Sequence, residues 1–306
     1  GQVWYNSTTK VVKGAINGAV SNGTWASGGD LSTARVRLAG TGTQTIGLAF
    51  GGAGATGLAA LTEEYDGSSW TESGDLNLAR RSLAGAGTQT AALGFGGYTP
   101  PGNSKDESEE YDGTSWAEGQ DLNTARGYLA GFGIQTAALA VGGGKAPGGF
   151  TRANEVELYN GTCWSEIEEI NTARHAIAGA GTSTAGLGFG GYTSTSASSN
   201  LSEEWDGTSW TEGQNLNTGR SYMAGFGIQT LALAAGGGPS ITANTEAYNG
   251  TSWTEVNNLA TARRQLAGNG TQTAGLVYGG STPGTARFAS TEEFTVPATT
   301  TKTFDT

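Results

Sequence analysis

Along the chain, short runs of small and apolar residues alternate with polar stretches of Gly, Thr, Ser and Asn, and no segment carries the spacing of an amphipathic helix. The runs come in a fixed order. A segment such as Leu83 to Gly87 is followed by Ala91 to Phe95, closed by Gly96-Gly97. After a loop come Glu109-Glu110-Tyr111, a turn at Asp112-Gly113, and Ser115-Trp116. These read as four short strands, the last two joined in a hairpin. Asp-Gly and Asn-Gly suit a two-residue turn because both central positions need positive φ. The dipeptides recur at Asp66-Gly67, Asn160-Gly161, Asp206-Gly207 and Asn249-Gly250. Such a turn places Glu109 opposite Trp116 and on the same face as Tyr111.

The whole phrase repeats. Trp25, Trp70, Trp116, Trp164, Trp210 and Trp253 stand in equivalent positions, with spacings of 45, 46, 48, 46 and 43 residues. The loops between the Gly-Gly pair and the Glu-Tyr phrase, residues 53–61, 98–107, 144–155, 192–201 and 238–244, have lengths of 9, 10, 12, 10 and 7. Removing them leaves 36 residues in every unit. All length variation therefore sits in one loop of a constant frame, as in a rigid scaffold carrying adaptable loops.

Four strands in each of six units predict an all-β protein, a six-bladed β-propeller of four-stranded antiparallel blades, since radial repetition protects so many strand edges. Ala and Gly in the first two strands suit blades that converge on an axis, with Trp and Tyr filling the wider wedge outside. The sixth unit stops after Glu292-Glu293-Phe294, while Trp25 has no unit before it. A strand at about 22–27 is therefore expected to pair with the last blade and close the ring. The organisation read from this is an N-terminal hairpin or linker over 1–20, a propeller over 21–297 and a C-terminal tail over 298–306. The opening Gly1-Gln2, without Met, is read as a processed product or a piece of something longer.

Composition sharpens the picture. Gly makes up about 17% of the 306 residues, against roughly 7% in average proteins, and Leu, Ile, Val and Phe together number 48. So low an aliphatic content borders on that of disordered chains. A charge of −11 is too dilute to hold the chain open, and 27 aromatic residues supply large units of burial. An acidic chain with five Lys and eleven Arg, none clustered beyond a pair, argues against nucleic acid as a partner. No apolar run approaches the roughly 18 residues of a membrane span, and no signal-peptide pattern opens the chain. A single Cys163 precludes an intrachain disulfide.

The pattern resembles kelch repeats over about residues 25–295: an Arg before the first strand, a Gly-Gly pair ending the second, then a Tyr and a Trp, here Arg126, Gly142-Gly143, Tyr159 and Trp164. The Gly-His and Trp-Asp signatures of WD-repeat propellers are absent. The Gly- and Thr-rich phrasing is also similar to propeller segments of bacteriophage virion proteins, and Gly1 to Thr9 to a short hairpin of phage tail and fibre polypeptides. Kelch-type propellers serve as binding scaffolds and as the central domain of copper radical oxidases, so the fold leaves function open.

Repeated charges read as framework. Arg35, Arg80, Arg126, Arg174, Arg220 and Arg263 share one position, and Glu63, Glu109, Glu157, Glu203, Glu246 and Glu292 share another. A ligand site needs different groups converging, whereas these recur once per unit. Each Arg is expected to meet a Glu, in a ring of partly buried ion pairs. The second Glu of pairs such as Glu63-Glu64 points to the opposite face of its strand, too far round for an acid–base couple, and reads as a solvated position. It changes to Leu158 and Ala247 in two units. A copper site resembling galactose oxidase needs two His and a Tyr–Cys crosslink, but the chain has one His, and Cys163 stands in a hairpin turn. Imidazole-rich metal sites fail on the same count. The sialidase turn, with Asp and Gly one residue apart, is not matched. No metal, no cofactor and no catalytic activity are expected.

The loops after strand two and the residues just after each framework Arg are expected to share one non-repeating surface. Its candidates near the axis are Arg37, Arg81, Tyr128, His175, Tyr222 and Arg264. The loops add Tyr98, Lys105, Lys145, Phe150, Arg152, Tyr192 and Arg287, types enriched at recognition hot spots. What the second resemblance implies is a virion or extracellular interaction module, in a tail fibre, spike or capsid surface, with other virion proteins and a host-surface glycan or protein as partners. A secreted or cell-surface bacterial glycan-binding propeller and an intracellular kelch adaptor remain open.

Overall fold

Each outer hairpin closes on an Asp or Asn side chain. In the computed structural model, which describes residues 2–6, 11–16, 20, 23–146, 151–193, 198–282, 286–297 and 300–304, Asp112 Oδ1 accepts from the amides of Thr114 and Ser115, both at 2.8 Å. Asp66, Asn160, Asp206 and Asn249 repeat the arrangement. The loop has four residues, Tyr111 faces Trp116, and Glu109 faces Glu118. This corrects the two-residue turn and the Glu109–Trp116 pairing read from sequence. A primed turn needs positive φ twice, but only Gly113 adopts it here, and the Asp carboxylate closes the loop instead.

Six four-stranded antiparallel sheets follow, with no α-helix among the described residues, and the fold is a six-bladed β-propeller. Blade 3 is representative: Ala130–Ile134 innermost, then Ala137–Val141, Val156–Tyr159 and Trp164–Ile167 outermost. In the last blade the outermost strand is Thr24–Ser27, paired with Thr291–Thr295 in the register Trp25↔Phe294. The ring closes as expected. A separate three-stranded sheet joins Gln2–Asn6, Val11–Ile16 and Thr300–Phe304, so the segment read as a C-terminal tail supplies a strand beside the N-terminal hairpin.

Small residues let the inner strands crowd together. A Cβ on Gly131 would lie 2.6 Å from the Phe95 ring of the preceding blade. Farther out, Trp116 packs against Tyr111 of its own blade and Phe50 of the preceding one, with ring centroids 5.0 and 4.8 Å away. Its Nε1 donates to Thr62 Oγ1 of that preceding blade at 2.9 Å.

The second Glu of each pair joins blades, and the solvated role read from sequence is corrected. Tyr111 donates its hydroxyl to Glu64 Oε1 of the preceding blade at 2.6 Å; Tyr159 meets Glu110 and Tyr65 meets Glu293 at the same distance, and Tyr248 meets Glu204. Burial and the carboxylate acceptor push the Tyr65 and Tyr111 phenols up to about 12, so both remain donors. Where the acceptor is lost, the donor is lost too. Leu158 packs beside Trp205, and Ala247 shares a core cluster with Phe294.

The framework ion pairs form in all six blades, with Arg–Glu distances of 2.6, 2.7, 2.8, 2.8, 2.8 and 2.7 Å in chain order. They are fully buried, deeper than the partial burial read from sequence. Burial alone pulls each guanidinium's pKa down, and the facing carboxylate opposes this. Arg126 also donates to the carbonyls of Gly142 and Glu155, at 2.7 and 2.6 Å. These two residues are the roots of the 144–155 loop. Arg35, Arg174, Arg220 and Arg263 hold their loop roots in the same way. Glu157 Oε2 in turn accepts the Asn123 amide from the strand-to-blade connection at 2.7 Å.

Breaking one such pair strands a buried charge. Arg126→Met is expected to cost ~3–5 kcal/mol in urea unfolding, while Arg126→Met with Glu157→Leu costs less than the sum of the two single changes by ~2 kcal/mol or more. Additive effects would contradict a coupled clamp.

Candidate recognition face at the propeller axis

Two residues beyond each framework Arg the chain turns at the axis. Arg37, Ser82, Tyr128, Ala176, Tyr222 and Gln265 occupy this position, and each has a φ between 53° and 60°. A side chain in this left-handed region costs of order 1–3 kcal/mol, so six together require compensation. Hydrogen bonding supplies it. The Ser82 amide donates to the Arg37 carbonyl at 2.7 Å, Tyr128 to Ser82 at 2.8 Å, Ala176 to Tyr128 at 2.7 Å, Tyr222 to Ala176 at 3.2 Å, Gln265 to Tyr222 at 2.8 Å, and Arg37 to Gln265 at 2.8 Å. Six amides thus form a closed ring around the axis, one per blade. Below it, Leu38, Leu83, Leu129, Ile177, Met223 and Leu266 line the channel.

One step outward lies the residue just after each framework Arg, bridged to the start of the following loop: Val36 to Ala53, Arg81 to Tyr98, Gly127 to Gly144, His175 to Tyr192, Ser221 to Gly238 and Arg264 to Ser281. The axial residues and the loops therefore occupy one face. The backbone is six-fold, but the side chains on it are not.

One side of the face is aromatic. Tyr128 and Tyr222 approach edge to face with centroids 5.8 Å apart, His175 stacks on Tyr192 at 5.3 Å, and Tyr192 reaches Tyr222 at 5.6 Å. Tyr98 lies 6.3 Å from Tyr128. Desolvation, with the Arg152 charge adding to it, lowers the His175 pKa to about 4, so this ring is neutral near pH 7. Burial pushes the Tyr222 phenol up to about 12.

The other side is cationic. Arg37, Arg81, Arg264 and Arg287 line an open pocket of about 290 Å³ with Gln265, Ser281 and Thr282. Arg37 donates to the Tyr128 hydroxyl at 2.8 Å and lies over its ring, and Arg81 lies over the Tyr98 ring, each 5.4 Å from the centroid. The Gln265 amide oxygen, turned toward Arg37, accepts from Nε and Nη2 at 3.0 Å each.

The structure thus brings together Arg37, Arg81, Tyr98, Tyr128, His175, Tyr192, Tyr222, Arg264 and Arg287 from the sequence-derived set. Arg152 lies in the loop strand Thr151–Arg152, close enough for its charge to act on His175. Lys105 and Lys145 pair with Glu107 and Glu155 at their own loops. Phe150 lies outside the described residues. Sequence reasoning missed Ser82, Ala176 and Gln265, which share the repeat offset of Arg37, Tyr128 and Tyr222; that offset was the available signal. Among the described residues, no three His, Cys, Asp or Glu side chains converge as metal ligands.

No family model matches the chain, and no curated protein sequence matches it. The solved structure of YjhT is similar over 90% of this chain and 99% of its own, with a TM-score of 0.75 and 12% sequence identity. That likeness is one of fold.

The lone imidazole offers a direct check on the face. Its NMR titration is expected to have a midpoint near pH 4, and an ordinary midpoint near 6.5 would contradict its burial among the tyrosines. Because the folded pKa lies below the unfolded one, the stability contributed is complete above about pH 6.5. It falls as pH drops toward 4, and His175→Phe removes that part of the pH dependence.

Proposed function

We propose that this chain is a kelch-type propeller acting as a non-enzymatic interaction module of a bacteriophage virion, in a tail fibre, spike or capsid surface, with its axial face turned to a host-surface glycan or protein. The observation that carries the recognition part is the gathering of non-repeating Tyr, His and Arg side chains on a backbone that otherwise repeats blade by blade. Tyr and Arg are the side chains that most often dominate binding energy, and rigid aromatic faces also suit saccharide rings.

The state of the ionisable groups favours binding over catalysis. The six framework carboxylates are buried and engaged by Arg. Four of the adjoining Glu accept tyrosine hydroxyls across blade boundaries. A general acid or base needs a pKa near the working pH and access to substrate, and His175 is shifted well below that range. The virion assignment is supported by the resemblance of the opening segment and the Gly- and Thr-rich repeats to phage polypeptides. A low-Lys, acidic surface suits an extracellular particle.

Two measurements test the parts separately. Mass spectrometry of purified virions from the source phage is expected to find this chain in the particle, and its absence from every particle fraction would overturn the virion assignment. On a glycan and host-envelope array, Tyr128→Ala and Tyr222→Ala are expected to weaken binding roughly tenfold or more. Unchanged binding in folded variants would place recognition elsewhere.

A further inference from the structure

Positive charge is scarce in this protein, and its distribution is uneven. Of the eleven arginines, six are consumed by the framework ion pairs. Four of the remaining five, Arg37, Arg81, Arg264 and Arg287, line a single pocket at the junction of blades 6, 1 and 2. No carboxylate is among its lining residues. In a chain of net charge −11 this concentration calls for a physical reason, because like charges gathered without a counter-charge repel one another.

The guanidinium groups differ in how far they are committed. Arg37 is fixed by the Tyr128 hydroxyl and the Gln265 amide. Arg81 and Arg264 are half-buried and find no hydrogen-bond acceptor among the described residues, and the Nε of each is shut off from solvent. A buried donor without an acceptor costs about 1–3 kcal/mol, more when charged. The framework arginines Arg35, Arg80, Arg126 and Arg220 leave a buried Nε unpaired as well, so the contrast lies in the terminal nitrogens. In the framework these reach a Glu and backbone carbonyls, and in Arg81 and Arg264 they reach no acceptor among the described residues. Arg287, exposed and held through the Ser281–Arg287 bridge, stands at the pocket rim. Ser281 and Thr282 add hydroxyl groups beside these cations.

We propose that this pocket binds an oxyanion ligand carrying about two negative charges, a phosphate monoester or a free anion such as phosphate or pyrophosphate. Planar guanidinium groups match such oxygens in paired hydrogen bonds, and the space suits a ligand of monosaccharide-phosphate size rather than a polymer. Arg81 and Arg264 supply the acceptor-seeking donors, Arg37 a third charge held in place, and Arg287 attraction from the rim. The inference rests on the axial face being the recognition surface, and it names the chemistry that this side of the face selects.

Isothermal titration of the full chain at low ionic strength tests it, with inorganic pyrophosphate, glucose 1-phosphate and glucose as probes. Pyrophosphate is expected to bind one site per chain, to weaken as salt is raised, and to weaken by roughly tenfold or more in Arg81→Ala and in Arg264→Ala. Lys13→Ala, which removes the same charge from the separate three-stranded sheet, is expected to leave binding unchanged. Tighter binding of glucose 1-phosphate than of pyrophosphate would assign the anion to a sugar ester, and the reverse would assign it to the free anion; glucose alone is expected not to bind. No pyrophosphate binding, or an equal loss in Lys13→Ala, would overturn the proposal. Array binding without pyrophosphate binding would sink this inference and spare the recognition reading. Pyrophosphate binding without any array partner would do the opposite.

Discussion

The buried Arg–Glu clamp is the interaction on which the rest of this structure depends. It does more than pair two charges. One guanidinium gathers the carboxylate of the third strand and the carbonyls at both roots of the variable loop, and the carboxylate holds the amide entering from the neighbouring segment. Three stretches of chain, 123–126, 142 and 155–157, meet at one ion pair. Taking both charges out of water is expensive, so the gain lies in a fixed geometry more than in net stability. This explains how loops of different length hang on a frame of constant length: in five of the six blades both roots are tied to the same guanidinium, while Arg80 donates to the Gly94 carbonyl of the second strand instead.

From that frame follows the ring at the axis. Each clamp delivers the chain two residues later to a left-handed turn, and six such turns satisfy one another through their own amides. Strain that no single blade would sustain is held by closure. Because backbone bonds alone make the ring, its side chains are released from structural duty, and the positions carry Arg, Ser, Tyr, Ala, Tyr and Gln. The division into an aromatic and a cationic side is possible because the scaffold beneath does not depend on either.

Much of the architecture was legible because it repeats. The constant unit, the strand order and the pairing of the strand around Trp25 with the last blade all follow from spacing and small-residue placement. The turn register did not, because Asp112 closes a longer loop with its side chain while the sequence shows only an Asp-Gly dipeptide. The inter-blade Tyr–Glu bonds were hidden by reading Glu64 as a strand face in isolation. Their trace was nevertheless present, since Leu158 with Trp205 and Ala247 with Phe294 change donor and acceptor together. The left-handed ring had no such trace, for none of its six residues is Gly, the usual mark of positive φ. The four Arg were legible as members of one face but not as one pocket, because their spacing within the face depends on blade 6 meeting blade 1 at closure.

The central claim is that a clamped, closed ring holds the axial face rigid while the loops around it vary. Native-state hydrogen exchange on the amides of Arg37, Ser82, Tyr128, Ala176, Tyr222 and Gln265 tests it most directly. The account predicts protection of all six at the level of the inner strands. Exchange of these amides as fast as that of the variable-loop tips would show an open, frayed axis and contradict it.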